Sequence, residues 1–112
     1  MTENIFEKII KKEIPADIIY EDDLVLAFND ISPQAPTHIL VIPKKNIPKL
    51  SDSKNEDKDL LGTLLLTAKK IAKDNNINNY RLVINNGSEA GQTVFHLHIH
   101  ILAGRDFGWP PG

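Results

Sequence analysis

The chain has 112 residues, enough for one hydrophobic core and too few for two that stand alone, so residues 1–112 are expected to form a single domain. Its net charge is −2 with no basic stretch interleaved with aromatics, which argues against a nucleic-acid partner. The absence of cysteine excludes disulfides and thiolate metal sites and fits a reducing compartment.

The N-terminal MTENIFEKII lacks the basic, then long apolar layout of a signal peptide. Within it Ile5 and Ile9, and Phe6 and Ile10, recur at helical spacing, predicting a short amphipathic helix ended by Pro15. DIIYEDDLVLAFND reads as two strands joined by an acidic turn near Glu21 to Asp23. SPQAPTH is a loop stiffened by Pro33 and Pro36, and HILVIP is a strand closed by Pro43.

A long helix follows. Leu60, Leu61, Leu64, Leu65, Ala68, Ile71 and Ala72 form its apolar face, with Ser51, Asp52 or Ser53 as N-cap candidates and Asn75 and Asn76 as the stop. The apolar run LLGTLLL within it is too short to span a bilayer, so a cytoplasmic protein without a membrane partner is expected. YRLVIN is a strand, NGSEAGQT a glycine-bearing loop, and VFHLHIHILAG the last strand; Pro110 and Pro111 leave the tail RDFGWPPG without regular structure.

The order is helix, three strands, helix, two strands. Short connections predict an α+β fold: a five-stranded antiparallel sheet with two helices on one side. Such a sheet has edges to be covered or paired, and a second copy of the chain is one solution.

VFHLHIHILAG holds three of the four histidines at alternate positions. Side chains alternate along a strand, so His96, His98 and His100 share one face while Leu97, Ile99 and Ile101 share the other. Three readings stand side by side. The row can be the polar outer face of a half-buried sheet, although Thr, Lys or Glu would fill that role more simply. It can bind a metal with help from His38, although His96 and His100 would be about 13 Å apart at their Cα atoms in an extended strand. Or it can be catalytic: a neutral imidazole is nucleophilic, and its neighbours can fix its tautomer, protonate a leaving group and hold negative charge.

The preceding NNGSEAGQT has Gly87 and Gly91, which allow backbone N–H groups to form an anion-binding concavity, and Thr93, which adds a hydroxyl. Taken alone, the loop is better explained as an ordinary strand connection with glycines for the turn, and its place directly before three histidines is what makes an anion there plausible. Asp30, in AFNDISP, reads by pattern as a turn-initiating residue, with ribose binding as the functional alternative.

With these pieces assembled, the chain resembles the histidine triad (HIT) family and its Hint branch of nucleotide-binding proteins. The family pattern of three histidines alternating with apolar residues stands as HLHIHIL at 96 to 102, and DISPQAPTHILVIPKK, NGSEAGQTVFHLHIHILAG and WPPG also resemble that branch. The resemblance spans almost the whole chain. It implies a HIT-like fold whose five strands join a second copy's in a ten-stranded homodimer sheet. It implies a hydrolase, a phosphoramidase cutting the P–N bond of purine nucleoside 5′-phosphoramidates. His98 would be the nucleophile that forms a covalent nucleotidyl intermediate, with His100 near phosphate and leaving group, and His96 and His38 completing the imidazole network. Asp30 would bind the ribose hydroxyls, with Ile31 beside sugar and base. Asn85, Gly91, Gln92 and Thr93 would surround ribose and phosphate. Phe6, Ile9, Ile14 and Phe28 would form the apolar slot for the base. Trp109 would be ordered by the partner rather than left as an exposed tail aromatic. No cofactor and no metal are implied. Some members carry a zinc-binding Cys-x-x-Cys where this chain has Asn4 and Glu7, and a nucleotidyltransferase branch has glutamine at the position of His100. The alternative is a nucleotide-binding regulatory or scaffold module whose turnover is incidental.

Overall fold

The computed structural model describes residues 3–112. The chain runs through α1 (Ile5–Ile10), β1 (Ile18–Glu21), β2 (Val25–Asn29), β3 (Thr37–Pro43), α2 (Lys58–Asp74), β4 (Tyr80–Val83) and β5 (Ile99–Ala103), with single 3-10 turns at Leu50–Asp52, Asn55–Asp57 and Ser88–Ala90. The five strands form one antiparallel sheet in the order β1-β2-β3-β5-β4. This is the expected α+β class.

Local chemistry sets the element ends. Asn4 caps α1: its side-chain Oδ1 accepts from Glu7 N–H at 2.8 Å, while Asn4 N–H donates to Glu7 Oε1 at 3.1 Å. The helix stops well before Pro15. Lys12 turns left-handed (φ 63°), and the Lys12 and Glu13 N–H groups donate back to the Ile9 and Lys8 carbonyls. Helix α2 ends the same way at Asn76 (φ 59°), as expected for an asparagine stop. Its start differs from expectation. Ser51–Ser53 lie in and beside a separate 3-10 turn, and the helix begins after Asp57, whose carboxylate accepts from Lys54 N–H at 2.8 Å and pairs with Lys45.

The two helices lie on opposite faces of the sheet, not on one. Strands β2 and β3 are buried on both sides. Val25, Ala27, Ile39 and Val41 pack with Leu64, Ala68 and Ile71 of α2, whereas Leu26, Phe28, Leu40 and Ile42 pack with Phe6 and Ile9 of α1. This is why both strands read as continuous apolar runs instead of alternating ones. Leu97, Ile99 and Ile101 join the α2 side, which turns the histidines toward the α1 side.

The last strand is shorter than its sequence pattern. Pairing with β3 begins at Ile99 opposite Val41, so His96 and His98 precede the ladder. There the imidazoles take over main-chain hydrogen bonding. His96 Nε2 lies 2.7 Å from the Pro43 carbonyl and His98 Nδ1 lies 2.7 Å from the His96 carbonyl. Leu97 N–H donates to the Ile47 carbonyl at 2.7 Å, fixing the segment to the loop after β3.

Candidate active site

Helix α1 does not cover its face of the sheet completely. Beside it lies an open cleft of about 540 Å³ with an apolar side made by Phe6, Ile9, Ile14, Phe28 and Leu40. Phe6 sits edge-on to Phe28 at 5.4 Å and to His98 at 5.1 Å between ring centroids. A flat apolar ligand therefore finds aromatic and aliphatic walls that end at an imidazole. The polar side holds Asp30, His38, His98, His100 and Thr93, with Ile31 almost fully exposed at the rim.

Hydrogen bonds fix the tautomers. A carbonyl oxygen only accepts, so His98 Nδ1 carries the proton it gives to the His96 carbonyl, and the neutral ring has its free lone pair on Nε2. His38 Nδ1 accepts from Gln34 N–H at 3.0 Å, so His38 carries its proton on Nε2. That N–H donates to His100 Nδ1 at 2.8 Å, with Asp30 Oδ2 3.5 Å away. Neutral His100 is then protonated on Nε2, at the ring edge away from His38. The two ring centroids are 4.9 Å apart, so His98 with its Nε2 lone pair and His100 with its Nε2–H are neighbouring groups.

Burial holds these rings neutral. His38, His96 and His98 are pushed below the ordinary histidine value by desolvation. His100 is lowered to about 4, first by desolvation and then by the neighbouring His98 and His38. For His38 and His98 the Asp30 carboxylate opposes the shift without cancelling it.

Reading the three histidines as ligands of one ion has no geometric support. His96 and His98 each give a ring nitrogen to a main-chain carbonyl. Among the described residues, the His and Asp side chains close enough to share an ion are Asp30, His38 and His100, with ligand atoms within 4.8 Å of one another. Their His38–His100 contact is a 2.8 Å hydrogen bond. Two nitrogens on one tetrahedral zinc, at bonds of about 2.0 Å, would stand roughly 3.3 Å apart.

Asp30 makes the expected turn and also lines the cleft. Its Oδ1 accepts from Ser32 N–H at 2.8 Å, the expected turn, while its Oδ2 stays on the His38 side of the cleft. The glycine loop follows the ordinary-turn reading and not the anion-concavity one. Gly87 and Gly91 adopt positive φ, but they close a 3-10 turn in which the Ala90, Gly91 and Gln92 N–H groups donate back to the Gly87 and Ser88 carbonyls. These N–H groups form no open anion concavity; Gly91 and Thr93 reach the cleft. Gln92 does not line it. Its buried amide accepts from Gly87 N–H and donates to the Pro48 and Val94 carbonyls, stitching the loop to the segment after β3. Asn85 also stands behind the lining, packed against Gly91. Trp109 lies far out on the tail and is 83% exposed.

Sequence reasoning missed two polar residues that orient the imidazoles. Gln34 reaches His38 through its backbone, which leaves no signal in residue type. Asn4 approaches His96 with Nδ2 at 3.3 Å from Nδ1. Its Asn-x-x-Glu spacing was a readable capping signal.

The fold and site together define a five-stranded α+β protein in which the last strand and the residues just before it bring a neutral imidazole pair to the end of an apolar cleft. Comparison with known proteins makes this particular. The HIT domain family model matches residues 11–107, and the chain belongs to that family. A relative in Synechocystis, described as an uncharacterized HIT-like protein, is 64% identical over 111 residues, covering 98% of this chain and 97% of the relative. The crystal structure of a HIT family hydrolase from Legionella pneumophila superposes with a TM-score of 0.96 at 48% identity, covering 98% of this chain and all of that one. A histidine triad nucleotide-binding protein from Candida albicans superposes with a TM-score of 0.81 at 36% identity, covering 96% of this chain and 83% of that one.

Proposed function

We propose that this chain is a nucleotide hydrolase of the Hint type, cleaving the P–N bond of purine nucleoside 5′-phosphoramidates through a covalent intermediate on His98. One observation carries the reading: the His98 Nδ1 contact with the His96 carbonyl leaves the Nε2 lone pair free beside the His100 donor, at the end of the apolar cleft. The base lies along Phe6, Ile9, Ile14 and Phe28, Asp30 Oδ2 accepts from the ribose, with Ile31 beside it, and Thr93 and His100 donate to the α-phosphate. Gln92 and Asn85 act indirectly by shaping the loop. The Legionella and Candida relatives, described as a hydrolase and a nucleotide-binding protein, support the same direction.

In the reaction His98 Nε2 attacks the α-phosphorus and the P–N bond breaks. The nitrogen leaves as an amine, its proton drawn from the imidazole cluster, where the bound anionic phosphate raises the affinity for protons. Water then attacks the phosphorus of the nucleotidyl-histidine and gives a proton back to the imidazole cluster; the P–Nε2 bond breaks, and the monophosphate leaves with the His98 lone pair restored. Positioning and charge stabilisation supply most of the acceleration, as is general in phosphoryl transfer. No step calls on a metal or other cofactor.

The working form is a homodimer joined along β4, with no nucleic acid or membrane partner. Of the two sheet edges, β1 is blunted by an irregular register at Ile18 and Tyr20 and by Glu21 paired with Lys12 and Lys44. Strand β4 has a regular register and exposed Tyr80 and Ile84 at its end and just beyond. No helix among the described residues is long and apolar enough to cross a membrane, and a cytoplasmic setting fits the cysteine-free composition.

The test is incubation of chelator-treated protein with a purine nucleoside phosphoramidate. The expected result is monophosphate release that disappears in His98→Ala. Tight nucleotide binding with negligible turnover would instead make the chain a binding module.

A further inference from the structure

The His96 ring is fully buried, does not line the cleft and takes no step in the chemistry above. Its surroundings nevertheless determine what His98 can do. We infer that Asn4 is a positioning residue: through His96 it fixes the backbone carbonyl that orients the nucleophile, and so ties the seating of α1 to the readiness of His98. This rests on the reading of His98 as nucleophile.

The chain of contacts is directional at each step. The helix cap requires Asn4 Oδ1 to accept, which it does from Glu7 N–H at 2.8 Å. The amide is therefore not free to flip, and Nδ2, a donor only, faces His96 Nδ1 at 3.3 Å. At the other edge of the ring, His96 Nε2 faces the Pro43 carbonyl at 2.7 Å, where only an N–H is tolerated. A neutral His96 with its proton on Nε2 satisfies both neighbours, and every other protonation state confronts at least one of them with its own kind. A ring gripped at both edges holds its own main chain. That main chain includes the carbonyl that receives His98 Nδ1–H at 2.7 Å.

The same helix carries the base wall. Phe6 lies two residues beyond the cap and packs against His96 at 6.2 Å and His98 at 5.1 Å between centroids. Asn4 thus joins the wall that would hold a base to the ring that would attack phosphorus. Binding energy from a remote part of a substrate can be used in this way to hold reacting groups in register.

Asn4→Asp isolates the effect. Aspartate caps a helix as well as asparagine and is nearly isosteric, but it presents an acceptor to His96 Nδ1. The ring must then take up a second proton or break the contact. The expected result is a fall in kcat for a purine phosphoramidate of about 10- to 100-fold with a smaller change in KM. Unchanged kcat in a folded Asn4→Asp protein would overturn the inference.

A second measurement does not depend on the variant folding. Imidazole 15N spectra of the wild-type protein should show neutral His96 protonated on Nε2 at neutral pH. A His96 protonated on Nδ1, or an imidazolium, would also overturn the inference. These spectra stand apart from the proposed function. If His98→Ala keeps full activity, the covalent mechanism fails whatever tautomer His96 shows.

Discussion

At the scale of single residues, the site at rest depends on uncharged imidazoles. A cluster of four histidines would repel itself if all were protonated, and burial prevents this. The cost appears at low pH. An unfolded histidine titrates near 6.5, whereas in the folded chain all four are shifted downward, His100 to about 4. In the interval between those values the unfolded chain binds more protons than the folded one, so stability rises with pH there and is fully present above about 6.5. Denaturant midpoints should therefore fall as the pH is lowered from 7 toward 4, and His100→Asn should flatten that slope. A midpoint independent of pH across this interval would mean that the imidazoles are not held neutral by the fold.

At the scale of elements, the turn after β5 supports the segment that orients His38. Gly104 has φ 97°, and a Cβ there would stand 2.8 Å from Pro36 Cβ. Only glycine lets the chain pass over Pro36, and Arg105 then reaches the Gln34 carbonyl with Nε at 3.3 Å and a terminal nitrogen at 3.2 Å. Gln34 is the residue whose N–H fixes the His38 tautomer. Gly104→Ala should lower stability by about 1–3 kcal/mol, read as a shifted denaturant midpoint at unchanged slope; an unchanged midpoint would show that the turn relaxes freely. Much of the element plan was legible in the sequence, for physical reasons that also mark where legibility stops. Helix α2 announced itself because one face of it meets one face of the sheet. Its side of the sheet was not legible, because periodicity says which face of a helix is buried but not against what. The alternation of 96 to 102 gave the correct facing of all three histidines. It overstated the strand, because His96 and His98 satisfy main-chain carbonyls with side chains, and residue type does not reveal that substitution. Gln92, which the family resemblance puts in the loop around ribose and phosphate, satisfies buried backbone groups, a role that residue type does not reveal.

At the scale of the whole molecule, opposite faces of one sheet do different work. The α2 face is a closed apolar core, and the α1 face is left partly open as a cleft that ends in imidazoles. The open β4 edge and the exposed Trp109 belong to neither face, and a dimer would account for both. Sedimentation should give twice the chain mass at micromolar concentration; a monomer at every concentration would remove the dimer from the account. The decisive question remains whether phosphorus is ever bonded to His98. A slow purine phosphoramidate, quenched during turnover and followed by intact mass and peptide mapping, should show one nucleotidyl group on the peptide containing His98 and none in His98→Ala. Turnover by the wild type without any such adduct, together with undiminished hydrolysis by His98→Ala, would contradict the mechanism.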